Sequence, residues 1–324
     1  MRIGVISAYP DEDWDAQRIA AAARRRGDVR VLAPTEFGAE IGADRRITVG
    51  GEPASGFDLF LTPRAVGERG DAELQLELYR ALGESGARVV NDVRALVTAV
   101  DKFRSSWLIQ RAGVASPRVV VAQSLYEAAR AVDAMGRAVV KPFYGSLGLG
   151  VELVGRDDIP RVAQLLGRYG ALYLQEFVTP RLDVRALVVG DRVAGAIARR
   201  PPPGEFRSNV QLGGETTAIE LDADVERLAV QAARAIGLDY AGVDLLITER
   251  GPLVLEVNGT PSFRAVEQAT GRDMAEAIVE HAVERAAEEP RGAQRRREFP
   301  RGDRPPRRRR VPDLIEAGKR SGRE

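Results

Sequence analysis

The chain of 324 residues contains no cysteine and a single histidine, His281. The missing cysteines exclude disulfides and thiolate metal sites, and they fit the reducing cytoplasm. One histidine is too few for a zinc site or for a histidine-based catalytic dyad. Any acid–base or metal chemistry therefore has to depend on carboxylates, lysine or arginine.

Long apolar runs are also missing: none approaches the roughly 20 residues that span a bilayer. The first residues, MRIGVISAYPDED, lack the charged segment and apolar core of a secretory signal. With 44% hydrophobic and 29% charged residues, the composition is typical of a soluble globular protein. We therefore expect a cytoplasmic protein with no membrane partner.

Lysine is rare as well. Of 48 basic residues only three are lysine, Lys102, Lys141 and Lys319, and the other 45 are arginine. The two cations differ physically, because an ammonium group is a compact point charge and a guanidinium group is a planar fork. The lysines that remain in so arginine-rich a chain therefore need an explanation.

Charge is unevenly distributed along the chain. Residues 291–324 contain 13 Lys and Arg against 5 Asp and Glu, whereas residues 1–290 contain 35 against 42. Arg, Pro and Gly dominate beyond Pro290, which predicts a mostly disordered tail over 290–324. Such a run can bind nucleic acid, but Phe299 is its only aromatic residue for base stacking, so a solvated tail is favoured.

The body of the chain predicts three units. Four apolar strands alternate with helical segments over residues 1–92, which indicates a parallel α/β domain. Residues 93–179 predict a second unit, which begins with a single helix over 93–112 and includes a hairpin across the glycines. Residues 180–289 predict a third unit with two further hairpins.

Three oxygen-bearing side chains, Asp244, Glu256 and Asn258, lie on the two arms of the hairpin that turns at Glu249–Gly251. Asp244 and Glu256 should then be near each other across the ladder, and Glu256 and Asn258 should share one face. Carboxylate and amide oxygens suit Mg²⁺. The alternative is a charged outer face on an exposed hairpin.

A glycine-rich loop follows Lys141 in the segment AVVKPFYGSLGLGV. Its candidate phosphate-binding residues are Gly145, Ser146, Gly148 and Gly150. Glycines let backbone N–H groups approach phosphate closely, but a glycine-rich turn is at least as common, and the spacing matches neither the dinucleotide fingerprint nor a Walker loop. Lys141, at the end of the preceding strand, favours the phosphate site.

The ordered motifs of the chain resemble the ATP-grasp superfamily, and more closely its RimK-type ligases, which join glutamate or a similar amino acid to a carboxylate. The motifs are DK (101–102), VVKP and GSLGLGV (139–151), QEFV (175–178), DVR (183–185), FRSN (206–209), GG (213–214), GVDLL (242–246) and EVNGTP (256–261). The resemblance covers about residues 1–287. It implies an α/β protein with an N-terminal parallel α/β domain and a two-subdomain ATP-grasp fold of the α+β type.

In this resemblance the nucleotide lies between a lid subdomain, 93–179, and a C-terminal subdomain with the metal site, 180–289. The family pattern requires lysine at positions 102 and 141. If three lysines were placed at random among 48 basic positions, both would be lysine in about 0.3% of cases. We therefore interpret Lys102 and Lys141 as phosphate ligands, rather than Lys102 as an ordinary surface lysine on a helix; for Glu176 and Phe177 the alternative is an ordinary strand end.

The resemblance implies roles for further residues. Glu176 would accept from the adenine amino group, beside the backbone of Phe177 and Val178, and Asp183 would contact the ribose or another part of the nucleotide. The residues implied at the phosphates and the metal are Arg207, Ser208 and Asn209. The arginines implied at the acyl phosphate are Arg199 or Arg200, together with Arg207. Asp244, Glu256 and Asn258 would bind Mg²⁺ or Mn²⁺, with two ions expected.

The implied reaction is ATP-dependent formation of an amide bond. Attack of a substrate carboxylate on the γ-phosphoryl group gives an acyl phosphate and ADP, and an amine then displaces phosphate. Positioning and electrostatics supply most of the rate, and no protein nucleophile is required. The implied partners are ATP, L-glutamate as amine donor and a carboxylate acceptor, and we expect a homo-oligomer.

Two departures from the family pattern concern the acceptor. Leu212 precedes the GG pair where an arginine is frequent, and NGTPSF stands where ribosomal-protein-modifying members have Ser-Pro-Gly. NGTPSF resembles the branch that adds glutamate to tetrahydromethanopterin, which favours a small coenzyme of that or the deazaflavin kind. The alternatives are a protein C-terminus such as that of a ribosomal protein, an RNA-binding protein acting through its tail, and a nucleotide-binding body without catalysis.

Overall fold

A computed structural model describes residues 1–42, 45–67, 69–142, 150–200 and 215–287. The predicted tail 290–324 lies outside these ranges. Outside them too are the predicted site residues Gly145, Ser146, Gly148, Arg207, Ser208 and Asn209. Among the helices within the described ranges, none combines the length and the apolar character that a bilayer crossing requires.

Strands and helices alternate along the described chain. The strands are β1 (Arg2–Ser7), β2 (Asp28–Leu32), β3 (Phe37–Glu40), β4 (Arg46–Val49), β5 (Glu52–Pro53), β6 (Leu59–Arg64), β7 (Arg88–Val90), β8 (Val119–Ala122), β9 (Arg137–Lys141), β10 (Glu152–Gly155), β11 (Leu172–Glu176), β12 (Leu182–Val189), β13 (Arg192–Arg200), β14 (Glu215–Ile219), β15 (Tyr240–Thr248) and β16 (Gly251–Asn258). The helices are α1 (Trp14–Ala23), α2 (Ala72–Glu84), α3 (Val93–Val100), α4 (Lys102–Arg111), α5 (Leu125–Met135), α6 (Ile159–Tyr169), α7 (Ala223–Ile236), α8 (Arg264–Thr270) and α9 (Met274–Ala287).

The N-terminal residues form a parallel sheet in the order β2-β1-β6-β7. Val5 and Leu61 pack into a core with α1, whereas Ile6 and Phe60 pack into a core with α2 on the opposite face. Strands that are covered on both faces read as continuous apolar runs, which is why the sequence pattern identified them. The predicted parallel α/β fold of this region is confirmed.

The second sheet is antiparallel, in the order β10-β9-β11-β8. Val140 and Leu174 pack on one of its faces against Val132 of α5 and Val162 of α6. Strand β9 pairs with β10, so the hairpin predicted across the glycines is confirmed.

The third sheet is also antiparallel, in the order β14-β13-β12-β15-β16. One face, which includes Val184 and Val243, is apolar and packs on α7. The opposite face is apolar only at one end, where Leu187 and Val189 pack with residues of α8 and α9. Asp183 and Arg185 continue that face along β12, because side chains alternate along a strand. The uncovered end of this face is therefore polar.

The single helix predicted over 93–112 is wrong, because the chain breaks at Asp101. This residue has an extended backbone, with φ −77° and ψ 100°, and its side chain accepts from the backbone N–H of Arg104 at 2.9 Å. A short acidic side chain competes for backbone donors in this way and caps a new helix. Lys102 is consequently the first residue of α4. The boundaries of the three predicted domains stay predictions.

Asn91 joins the N-terminal sheet to the third sheet. It is fully buried, and its Nδ2 donates to the carbonyl oxygens of Tyr240 and Gly259, both at 2.8 Å. Its Oδ1 accepts from the backbone N–H groups of Asp239 and Tyr240 at 2.8 and 3.0 Å. All four hydrogen-bonding positions of the amide are therefore filled.

We expect Asn91→Asp to lower the free energy of unfolding at neutral pH by about 3 kcal/mol, because a buried carboxylate would face two carbonyl oxygens and cannot donate to them. Urea unfolding followed by circular dichroism measures the loss. Part of it should return in acid, where the protonated side chain can donate one hydrogen bond. A loss below about 0.5 kcal/mol at neutral pH, the size of an ordinary surface substitution, would contradict this role.

Candidate active site

The polar end of the third sheet collects four charged side chains on one face. Asp183 on β12 is opposite Arg199 on β13, and Arg185 on β12 is opposite Asp244 on β15. Residues directly opposite each other in an antiparallel ladder point to the same side of the sheet. Two acids and two arginines therefore share a small area.

Arg199 bridges the two acids. Its Nε and Nη2 donate to Asp183 Oδ1 at 2.8 and 2.5 Å, and Nη2 also lies 3.1 Å from Asp244 Oδ1. The side chain is 5% exposed. Burial lowers the pKa of Arg199, but the carboxylates of Asp244 and Asp183 outweigh that effect and leave its pKa raised. Arg199 therefore keeps its charge, whereas Arg200, the next residue, is exposed.

Arg185 contacts Asp244 as well. Its Nη2 donates to Asp244 Oδ2 at 3.1 Å, and its Nε lies 2.6 Å from Asp244 Oδ1. The contacts of Oδ1 with the two arginines are ion pairs without hydrogen-bond geometry, so this buried oxygen accepts no hydrogen bond from the described residues. Two cations therefore balance a carboxylate oxygen that retains capacity to bind another ligand.

The predicted metal ligands meet across the hairpin of β15 and β16. Asp244 is directly opposite Glu256, and Gly242 is opposite Asn258. The register shifts after Asp244, which leaves Leu255 as an extra residue in β16. Such a bulge redirects the neighbouring side chains. Two carboxylates and one amide, with a buried oxygen that has unused capacity, fit a hard cation such as Mg²⁺.

Lys102 and Lys141 reach a common cavity together with Glu256. The other residues that line this small cavity are Ser105, Ser106, Ile109, Tyr173 and Leu255. The pKa of Lys141 is lowered, chiefly because the side chain is buried. The charge of Lys102 lowers this pKa further, whereas the carboxylates of Glu256 and Asp244 raise it by less. Two ammonium groups beside two carboxylates can bind an anion and a cation together, as a metal–phosphate complex requires.

Gly150 is the member of the glycine loop that the structure describes. Its φ is +72°, in the left-handed region, and a Cβ there would lie 3.1 Å from the hydroxyl of Tyr169. Both the backbone conformation and the close approach favour glycine at this position.

The side chain of Glu176 lies away from the lysine cavity. Glu176 is opposite Ala138, which is three positions from Lys141 on β9 and therefore on the other face of the strand. Its Oε1 accepts from Arg250 Nη1 at 3.0 Å, and its Oε2 accepts from the backbone N–H of Arg118 at 3.3 Å. The structure therefore does not bring this carboxylate together with the two lysines.

Phe177 and Val178 follow β11 in the segment that leads to β12. The backbone N–H of Phe177 donates to the carbonyl oxygen of Arg137 at 3.1 Å, and the Arg137 guanidinium lies 4.3 Å from the centre of the Phe177 ring. Val178 lines a surface groove with the turn between β15 and β16, including Thr248. The segment thus connects the second sheet to the third.

Sequence reasoning assigned no role to Arg185, Ser106 or Tyr173. The hydroxyl groups of Ser106 and Tyr173 are 2.8 Å apart and connect α4 to β11, and burial raises the pKa of Tyr173 to about 12. For Arg185 a signal was available, because it lies two positions after Asp183 in the motif DVR and so shares its face. Nothing in the sequence pairs Ser106 with Tyr173.

Comparison with known proteins points to one family. Residues 99–282 match the family described as the RimK-like ATP-grasp domain. A protein of Shewanella amazonensis named "Probable alpha-L-glutamate ligase 1" is 35% identical over 299 residues, which cover 89% of this chain and 96% of that protein. A "Probable alpha-L-glutamate ligase" of Xanthomonas oryzae pv. oryzae is 38% identical over 294 residues, which cover 87% of this chain and 97% of that protein.

Solved structures resemble the fold. The ATP-grasp ligase PsnB, in complex with a phosphomimetic variant of its minimal precursor, Mg and ADP, has a TM-score of 0.70 at 21% identity and covers 88% of this chain and 98% of its own. A RimK domain protein of Sphaerobacter thermophilus has a TM-score of 0.65 at 20% identity, and the match covers 87% of this chain and 100% of that chain. At these identities the likeness shows a shared ATP-grasp fold.

The pair Arg199 and Arg200 allows a direct test of the buried charge network. Arg199→Gln should lower the free energy of unfolding by about 3 kcal/mol, because it removes the buried cation that pairs with Asp183 and leaves only Arg185 of these two arginines beside Asp244. Arg200→Gln, the exposed neighbour, should change it by no more than about 0.5 kcal/mol. Chemical denaturation of both variants measures the difference, and equal losses would show that Arg199 does not hold the two acids.

Proposed function

Because the chain belongs to the RimK-like ATP-grasp family, we propose that it uses ATP to join L-glutamate to a carboxylate acceptor through an amide bond. The predicted enzyme class, an ATP-dependent ligase, is confirmed by this family. The names of the relatives support L-glutamate as the amine donor. The observation that carries the proposal is the meeting of Lys102, Lys141 and Glu256 at one cavity, next to Asp244.

The two lysines are proposed to bind the phosphates of ATP. A phosphoryl group in transfer carries negative charge on several oxygens, and fixed positive groups stabilise that charge most where water is excluded. Lys102 starts α4 and Lys141 ends β9, so the two ammonium groups come from separate elements. This arrangement explains why lysine is kept at both positions, since a compact ammonium fits where a planar fork does not.

The ligands proposed for the metal are Asp244, Glu256 and Asn258. Bound there, Mg²⁺ would neutralise charge on the phosphate oxygens and align them. The structure of PsnB with Mg and ADP supports the pairing of magnesium with nucleotide in this fold. Mn²⁺ in its place, and a second ion, remain predictions.

Arg199 is proposed to steady the charge that develops on the acceptor during the reaction. A carboxylate is a poor acyl donor, so it must first take the γ-phosphoryl group as an acyl phosphate, which the amine of glutamate then attacks. The guanidinium of Arg199 is held by Asp183 and needs no reorganisation when that charge forms. Arg185 is proposed to position Asp244 for the same step.

For the acceptor we propose a carboxylate of a small coenzyme, on the resemblance of NGTPSF to the coenzyme-modifying branch. A second candidate is the carboxylate of a peptide or a protein C-terminus. It is supported by the structures of PsnB in complex with its minimal precursor and with precursor peptide PsnA2.

A direct assay tests the proposal. The protein is incubated with ATP, Mg²⁺ and L-glutamate together with pools of small carboxylic coenzymes or of peptides, and ADP and the glutamylated product are measured. Acceptor-dependent ADP with either pool is expected, and the responsive pool identifies the acceptor class. No ADP with any pool, combined with RNA binding that disappears on deletion of 291–324, would instead favour the RNA-binding alternative.

Lys141→Arg should reduce ADP formation at least about 100-fold, because the larger planar cation misplaces the phosphate contact. Lys102→Arg should act in the same direction. Lys319→Arg, the same substitution at the third lysine, is the matched control and should leave the rate unchanged. Near-normal ADP formation by Lys141→Arg with an intact fold would show that the phosphate site lies elsewhere.

A further inference from the structure

The carboxyl edge of the N-terminal parallel sheet includes a position at which ligands commonly bind in α/β proteins, here called the crevice, and the site above does not include it. In the order β2-β1-β6-β7, the chain continues from β1 to β2 on one side and from β6 to β7 on the other. Helices α1 and α2 accordingly lie on opposite faces of the sheet. In open α/β sheets, ligands bind outside the carboxyl ends of the strands where the strand order reverses, which here is between β1 and β6.

The floor of this crevice is formed by the loops that leave β1 and β6. Ser7 and Arg64, the last residues of the two strands, are register partners. The backbone N–H of Ala8 donates to the carbonyl oxygen of Arg64 at 2.9 Å, and a Cβ on Gly67 would lie 2.7 Å from the Cβ of Ala8. The two loops are therefore in contact, and the Arg64 side chain starts at their junction.

Arg64 supplies a positive group to the crevice. Its guanidinium lies 5.7 Å from the centre of the Tyr9 ring, and its Nε lies 3.9 Å from Asp13 Oδ2. The Arg64 side chain is 52% exposed, whereas that of Asp13 is 4% exposed. Asp13 accepts from Ser7 Oγ at 2.8 Å and from the backbone N–H of Ala16 at 3.4 Å. Since 3.9 Å exceeds hydrogen-bond distance, Asp13 orients the Arg64 fork without occupying its donors.

The crevice borders the GTPSF segment, residues 259–263, which directly follows the proposed metal ligand Asn258. The backbone N–H of Phe263 donates to Asp15 Oδ1 at 3.0 Å, and the rings of Phe263 and Trp14 lie 5.6 Å apart. Asp15 follows two residues after Asp13, whose Oδ2 lies 3.9 Å from Arg64 Nε. One end of the GTPSF segment is thus held against the start of α1, beside Arg64.

Earlier in the same segment, Pro261 packs at the metal site. A Cβ on Gly242 would lie 2.8 Å from the Cβ of Pro261, and it would also meet the guanidinium of Arg185. Arg185 is the residue that contacts Asp244. A continuous row of contacts therefore connects the proposed metal ligands, through Pro261 and Phe263, to the crevice.

We propose that Arg64 binds a non-reacting carboxylate of a substrate, in a subsite between the N-terminal sheet and the GTPSF segment. The inference rests on the proposed function, in which L-glutamate brings two carboxylates that do not react and a glutamate-like acceptor brings at least one. The guanidinium fork matches a carboxylate in two parallel hydrogen bonds, and the Arg64 side chain is half-exposed, so a small molecule can reach it. The subsite would hold one substrate while its reacting group faces the lysine cavity.

Titration calorimetry on the full chain loaded with AMPPNP and Mg²⁺ tests this subsite with two probes. L-Glutamate represents the donor, and the dipeptide α-L-glutamyl-L-glutamate represents a carboxylate acceptor. Arg64→Gln should raise the Kd of at least one probe about tenfold or more, since it removes a charge-assisted pair of hydrogen bonds. The affected probe tells whether the donor or the acceptor supplies the carboxylate. Arg64→Lys should give an intermediate Kd, because it keeps the charge without the fork.

The matched control is Arg46→Gln, which removes another arginine of the N-terminal region that is 55% exposed and forms an ion pair with Glu40. It should change neither Kd, and AMPPNP affinity should stay within about twofold of wild type in every variant. Chemical denaturation checks that the Arg64→Gln variant folds. If that variant does not fold, the Kd values of Arg64→Lys are compared with those of the wild type instead.

Two results would overturn the subsite: Arg64→Gln binding both probes as Arg46→Gln does, or neither probe binding the wild-type complex. Failure of the proposed function looks different, because the wild-type chain then forms no acceptor-dependent ADP with any pool. A wild-type chain that turns over while Arg64→Gln keeps its Kd and KM values rejects the subsite alone.

Discussion

A buried carboxylate between two guanidinium groups organises the polar face of the third sheet, where we propose that catalysis occurs. Asp244 contacts Arg185 and Arg199, and Arg199 is held in turn by Asp183. A charge removed from water is tolerated only when partners with good geometry surround it, so the network constrains the register of β12, β13 and β15 at once. The same face is apolar at its other end, where α8 and α9 pack, and this confines the polar chemistry to one end of the sheet.

The rest of the molecule positions groups around that face. Asn91 connects the N-terminal sheet to the start of β15, and the Ser106–Tyr173 contact connects α4 to the second sheet. Strand β9 then delivers Lys141, and the break at Asp101 delivers Lys102, to a cavity beside Glu256. The Asn91 contacts and the Ser106–Tyr173 contact are short hydrogen bonds in a largely apolar setting. Their geometry is well defined, because a misplaced partner would leave a buried polar group without a hydrogen bond.

Sequence reasoning succeeded where local periodicity carries the information. The turn at Glu249–Gly251 and a side-chain period of two were enough to place Asp244 near Glu256, and the bulge at Leu255 puts the two residues directly opposite each other. It failed at Asp101, because the apolar pattern continues through residues 93–112 and hides an acidic residue that ends one helix and caps the next. For Glu176 the adenine contact that the family motif implies stays a prediction, and the strand register places its side chain on the opposite face from Lys141.

By itself the sequence determined the α/β class, the family and the residue types that carry its chemistry, because strand periodicity, turn residues and two retained lysines are local or compositional signals. Only the tertiary structure decided which of Arg199 and Arg200 is buried, that Arg185 contacts Asp244, and that the start of α1 contacts both Arg64 and the GTPSF segment. These choices depend on which strands become neighbours and in what register. Such pairings join residues far apart in the chain, so packing rather than local pattern sets them.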